Sequence, residues 1–192
     1  MSRSMRRYEH KLTEEESWGI LQKADYGILS SVSGNGQPYG VPLNHCLIEG
    51  DIYFHSATEG HKIDNVRIHP EVSFSVVGET KIVPEKFTTL YESVITFGKA
   101  KEVFTREKQT ALRALMKKFS PDLDPEKVSC LTEELTGVCV FKISIEKNNW
   151  KVQSLIQYPH PDLSPLFCRP VWLKCQIKIV PPRAFPYIIS GE

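Results

Sequence analysis

YFHSATEGHKIDN (53–65) changes period halfway along. Tyr53 to Ala57 alternates as a strand does, and from Gly60 onward the pattern is helical. A serine, a threonine, a glycine, two histidines and a lysine crowd the joint. A helix start exposes unbonded amide N–H groups and the positive end of the helix dipole, which together favour a phosphate. Gly60 lets backbone approach closely, Ser56 and Thr58 carry hydroxyl donors, and Lys62 adds a charge. Asn65 lies three residues on, on the same side. The plainer reading is that Ser56 and Thr58 cap the helix and Lys62 is solvated. Residue chemistry alone leaves the two readings level. His55 shares a strand face with Tyr53 and Ala57, where it is either a hydrogen-bonded barrel residue or a neighbour of a ligand.

Working outward, the signals are those of an antiparallel sheet. Thr13-Glu14-Glu15-Glu16 is a capping box opening a helix to about Lys23. YGILSSVS (26–33), the hairpin signal Gly34-Asn35-Gly36 and PYGVPLNHCLI (38–48) predict two paired strands. DIYFHSA (51–57) follows, then the helix 60–70, closed by Pro70. EVSFSVV (71–77) alternates, a polar loop with Pro84 comes next, and LYESVITFGKAKEVF (90–104) is a long strand with a glycine suited to a bend. Thr105 is placed to cap a helix with the stripe Ala111, Leu112, Leu115, Met116 and Phe119. Asp124-Pro125 starts another helix, and VCVFKISIE (138–146) is a final strand. The fold class is therefore mainly β with peripheral helices, a closed or partly closed antiparallel barrel rather than a doubly wound sheet.

At 192 residues the chain suits one domain, with 41% apolar and 24% charged residues. Lys plus Arg number 24 against 23 for Asp plus Glu, a balance that predicts neither nucleic-acid nor membrane partners. No apolar run has membrane-spanning length and no signal segment is evident, so a cytoplasmic setting is expected. Five scattered cysteines without a C-x-x-C pair suggest reduced thiols. His45, His55, His61 and His69 fall on different elements without a carboxylate motif, so no metal site is expected. Residues 1–157 read as the domain. Residues 158–192, rich in proline, read as a C-terminal arm or extension.

In combination, YFHSATEGHKIDNVRIHPEVSFSV (53–76) and YESVITFGKA (91–100) resemble the FMN-binding split-barrel superfamily related to pyridoxamine 5′-phosphate oxidase. GQPYGVPLNHCLIEGDIYFHSA (36–57) is similar to its nitroimidazole-resistance subgroup. ISIEKNNWKVQ (143–153) resembles the family's closing segment, although the usual Gly-Lys is replaced around Lys147-Asn148. The resemblance covers roughly residues 5–157. It implies a split β-barrel of Greek-key-like connectivity and a homodimer with a flavin at the subunit interface. The cofactor implied is FMN, with FAD as the alternative.

By position, Ser56, Ala57, Thr58, Gly60, His61, Lys62 and Asn65 would hold the phosphate. Pro42, Leu43 and Asn44 would line the ring edge with backbone groups, and Ser93 and Val94 would approach from another side. Trp150 would cover the site from the neighbouring subunit. His55 would face flavin and substrate and is the candidate catalytic residue. The implied activity is that of an FMN-dependent oxidoreductase, reduced by NADH or NADPH and passing electrons to a small molecule such as a nitroaromatic. The alternatives are a non-redox protein that sequesters flavin or haem, and a pyridoxamine 5′-phosphate oxidase-like oxidase.

Overall fold

The computed structural model describes residues 12–135, 137–145 and 151–153. Trp150 and the 158–192 arm lie outside the described residues. The elements, in order, are α1 (Glu14–Lys23), β1 (Tyr26–Val32), β2 (Pro38–Asn44), β3 (Cys46–Ile48), β4 (Asp51–Ser56) and α2 (His61–Ile68). They continue with β5 (Glu71–Val83), β6 (Thr88–Val103), α3 (Thr105–Phe119), α4 (Pro125–Glu134), β7 (Cys139–Ile145) and β8 (Lys151–Gln153).

Seven strands form one antiparallel path, β2-β1-β5-β6-β7-β4-β3, with β8 added on β6. The two end strands of that path, β2 and β3, are consecutive in sequence and separated by His45 alone. The sheet is thus brought round on itself by a covalent corner instead of a closing ladder, which makes the barrel a split one. β6 is its spine. One edge pairs with β5, and the other passes from β8 at 93–95 to β7 at 98–103. Gly98 lies where that change occurs, and a Cβ there would collide with Ser144 O.

The alternation Leu29, Phe74, Val76, Val94, Phe54, Phe141 and Ile143 fills the barrel, joined by Leu21 of α1. Each such side chain contributes about 1.5–3 kcal/mol when fully buried. A second cluster under α3 holds Tyr53, Val103, Ala111, Leu112, Leu115 and Val140. Among the described residues no helix is long and apolar enough to cross a membrane.

Three local expectations give way. The strand expected over 38–48 breaks at His45, whose ring is fully buried and hydrogen-bonded to Leu21 O at 2.8 Å. The polar stretch after Val77 remains in β5, because Thr80 to Val83 pair with Thr88 to Tyr91 beyond a bulge. α3 is capped at Phe104 with no side-chain cap bond, and Thr105 is its first residue.

Candidate functional site

Strand β4 delivers Ser56 to the end of the barrel, and α2 begins five residues later at His61. Gly60 is its N-cap, at φ 130°, a backbone conformation that L side chains rarely adopt. No atom lies within 4 Å of where a Cβ would stand there, so the turn faces open space. No side chain caps the helix. Ile63 and Asp64 N–H both donate to Gly60 O, which leaves the amides of His61 and Lys62 ahead of them uncapped. The capping role open to Ser56 and Thr58 is therefore not taken up. Thr58 and Ala57 are exposed, while Ser56 is buried and its Oγ has no hydrogen-bond partner. A buried hydroxyl left unpaired costs about 1–3 kcal/mol, so an orphan four residues before the N-cap Gly60 is a physical signal. Lys62 is half-buried in the first turn. An uncapped helix start, a first-turn lysine and a nearby orphaned hydroxyl are chemistry that could hold a phosphate monoester.

Helix α2 is fixed to the β1–β2 hairpin. Ser33 Oγ lies 2.8 Å from His61 Nε2, and Asn65 Nδ2 donates to Ser31 Oγ at 3.0 Å. The His61 ring also stacks at a tilt on Tyr39, with 4.4 Å between centroids. Asn65 thus turns its amide inward to β1. Ser31, Ser33 and Tyr39 were missed by sequence reasoning. The available signal was that Ser31 and Ser33 continue the inward face that carries Gly27 and Leu29. Arg67, one turn on, bonds Glu102 at 3.4 Å rather than Asp64 or Glu71.

A second group stands on the outer sheet face. Register places Asn44 opposite Tyr26, Pro42 opposite Ile28, and Ser93 opposite Val77, all on one side. Leu43 and Val94 point the other way, Leu43 packing on the core and Val94 fully buried within it, so both offer only backbone to that face. β2 is an end strand whose one partner among the described residues is β1, so its other edge presents unpaired backbone groups. Ser93 stands three strands from β2, roughly 14 Å at ordinary strand spacing. A cavity of about 720 Å³ opens beside this face, lined by Ile20, Lys23, Tyr26, Val77 and Glu92 among others, and by no residue of α2.

His55 falls in neither group. It is exposed on β4 opposite Val140, which pairs in turn with Val103 of β6. Ser93 is ten residues back along β6, roughly 33 Å of strand. Beside His55, Tyr53 donates its phenol to Glu107 at 2.9 Å, and Lys142 bonds the same carboxylate at 2.8 Å. Burial and the Glu107 bond push the Tyr53 phenol up to about 12. This network ties α3 to β4 and β7.

The chain was compared with known proteins. The family model described as pyridoxamine 5′-phosphate oxidase matches residues 13–151. No curated protein matches the sequence. A conserved hypothetical protein of Mycobacterium tuberculosis superimposes with a TM-score of 0.69 at 16% identity, covering 84% of this chain and 98% of that one. A candidate 5-nitroimidazole antibiotic resistance protein of Bacteroides thetaiotaomicron gives 0.59 at 22% identity, over 72% and 82% of the two chains. An FAD and heme binding protein of Mycobacterium smegmatis gives 0.64 at 15%, over 78% and 75%. At these identities the likeness is one of fold.

Proposed function

The chain belongs to the pyridoxamine 5′-phosphate oxidase family, and from that premise we propose that it is an FMN-dependent oxidoreductase working as a homodimer. The observation that carries the reading is the uncapped mouth of α2 with the orphaned Ser56 hydroxyl. Lys62, the first-turn amides, Ser56 and His61 would hold the phosphate. The free edge of β2 at Pro42, Leu43 and Asn44 would supply backbone groups to the ring. Bound there, FMN supplies hydride and single-electron transfer, and the protein's part is to bind, orient and shield it.

Two features support the second copy. Ser93 and the β2 edge are too far apart in one chain to meet the same ring, so a flavin touching both draws Ser93 from the partner. The outer face between them also exposes Tyr26, Ile28 and Val77, at 64%, 42% and 59%, an apolar surface of the kind that subunit contacts cover. His55 stands in neither group and takes no part in this reading.

The resemblance to the nitroimidazole-resistance subgroup suggests a nitroaromatic as electron acceptor, with NADH or NADPH as the transient reductant. True pyridoxamine 5′-phosphate oxidation is disfavoured, since it needs a second phosphate site and Arg67, the nearest basic candidate, is paired with Glu102.

The test is the visible spectrum of protein purified without added cofactor, followed by heat release and identification of the chromophore. Released FMN, bleached on the protein by NADH or NADPH and reoxidised by a nitroaromatic, is the expected result. A flavin or haem that is held but never turned over would make the protein a carrier. A colourless protein that stays colourless with FMN would end the reading.

A further inference from the structure

We propose that Ser33 is a positioning residue of the phosphate site, a role that rests on the flavin-phosphate reading above. Its hydroxyl donates to Nε2 of His61 and thereby holds the ring as the Nδ1–H form, with that N–H offered to a phosphate oxygen.

The geometry is a match of two repeats. Alternate residues of extended chain are about 6.6 Å apart, so Ser31 of β1 and Ser33 just beyond its end stand at about that spacing on one side. Residues four apart in a helix rise about 6 Å, which is the separation of His61 and Asn65 along α2. One rigid placement of the helix therefore satisfies both bonds, Ser33 with His61 at 2.8 Å and Ser31 with Asn65 at 3.0 Å. The Asn65 amide nitrogen can only donate, so that bond has a fixed direction. The Ser33–His61 bond does not, because hydroxyl and neutral imidazole can each take either role.

The phosphate reading chooses between them. Ser33 is buried and its backbone is committed to the hairpin, its N–H to Gln37 O and its carbonyl to Gly36 N–H. Tyr39 against the ring restrains the imidazole. Nδ1, attached to Cγ, is the ring nitrogen nearer the first-turn amides. Were Nε2 to carry the hydrogen, Nδ1 would present a lone pair where the helix mouth favours an anion, acceptor against acceptor. With Ser33 as donor the site gains one more N–H without adding a net charge.

The experiment uses flavin-free protein labelled with ¹⁵N-histidine, at about pH 8, where an ordinary imidazole is neutral. Two-bond ¹H–¹⁵N correlation spectra distinguish a protonated from a bare ring nitrogen, and His61→Gln assigns the signal. Wild-type His61 should carry its hydrogen on Nδ1. In Ser33→Ala it should move to Nε2, and the FMN dissociation constant should rise about 3- to 10-fold. Ser33→Thr should restore both. Nε2–H in the wild type, or an unchanged ring in Ser33→Ala, would overturn the proposal, and the wild-type spectrum decides alone if the alanine variant does not fold. Inorganic phosphate and FMN should each perturb the ring. If neither does while Nδ1–H is seen, it is the phosphate reading that has failed, and the positioning role of Ser33 falls with it although its bond to the ring stands.

Discussion

α1 begins with Thr13, whose hydroxyl accepts from Glu16 N–H while the Glu16 carboxylate accepts from Thr13 N–H at 2.7 Å. α2 begins with Gly60, where no side chain caps, and its first turn holds a histidine, a lysine and one acid, Asp64, against α1's three acids. The far end of α1 is equally provided for: His45 Nε2–H donates to Leu21 O and Lys118 to Ala24 O, at 2.8 and 2.7 Å. The same chain satisfies one helix with side chains and leaves the mouth of another open. α1 and α4 carry side-chain caps while α2 and α3 do not, so what sets α2's bare start apart is the first-turn lysine and the orphaned Ser56 hydroxyl that accompany it, and the partner proposed for it is a ligand. Each helix also has an orphaned buried atom nearby, His45 Nδ1 and Ser56 Oγ. Ser56 comes four residues before the N-cap of α2. The His45 ring is enclosed, edge-on to Phe74 at 4.9 Å.

The largest effect should come from breaking the structural side of this contrast. Replacing His45 by Ala removes the bond to Leu21 and opens a core cavity, and should cost about 3 kcal/mol in urea unfolding. Burial first, then the nearby Lys118 charge, pushes the His45 imidazole down to about 4 from its ordinary 6.5. A proton would bring a charge and a second N–H that finds no acceptor. The unfolded chain binds that proton more readily than the folded one, so stability is complete above pH 6.5 and falls as pH drops toward 4. The loss is up to about 3 kcal/mol. A wild-type urea midpoint that stays flat across this window, or falls as steeply in His45→Leu, would show that His45 is not the group responsible.

The functional side should respond in the opposite currency, binding rather than stability. Lys62→Ala should weaken FMN binding about 10- to 100-fold, as loss of a charge-assisted phosphate contact does, with stability within about 0.5 kcal/mol of wild type. Ser56→Ala removes a hydroxyl that the fold does not use. FMN affinity should fall about 5-fold while stability holds or rises. A destabilisation above about 1 kcal/mol in urea would mean that Ser56 has a protein role and α2's mouth is less exceptional than the contrast says.

How far this contrast was legible beforehand differs between its halves. Thr13-x-x-Glu16 states its own bond, because both partners lie within one turn. The hairpin at Gly34 and the alternation of β1 and of β5 through Val77 are equally local. At α2 the sequence showed the phosphate-friendly set but could not decide between capping and cradle. That depends on where Ser56 and Thr58 point after a glycine at positive φ. The grip of Ser31 and Ser33 on α2 spans about thirty residues, and serines in a strand look like ordinary alternation. His45 was hidden for the same reason: within PYGVPLNHCLI it reads as one more strand residue, and only the packing of α1 makes it a corner. Ser93 and Asn44 could be named by resemblance, yet their distance from α2 becomes apparent only through the strand register.

The smallest change isolates the contrast most cleanly. Thr13→Ala deletes the hydroxyl that caps α1 and leaves α2, β2 and Ser93 untouched. It should cost about 1 kcal/mol of stability in urea unfolding and leave the FMN dissociation constant within experimental error. The Glu16 carboxylate would still accept from residue 13's backbone N–H, so part of the box survives and the loss stays at the lower end for a cap. If flavin affinity fell with it, the two helix starts would be energetically coupled. α1 packs against both β5 and β6, and Val77 and Ser93 stand paired on those strands, so such coupling has a path through the outer sheet face. Unchanged affinity would leave α1 a purely structural helix and the open mouth of α2 the one of the two built for a ligand.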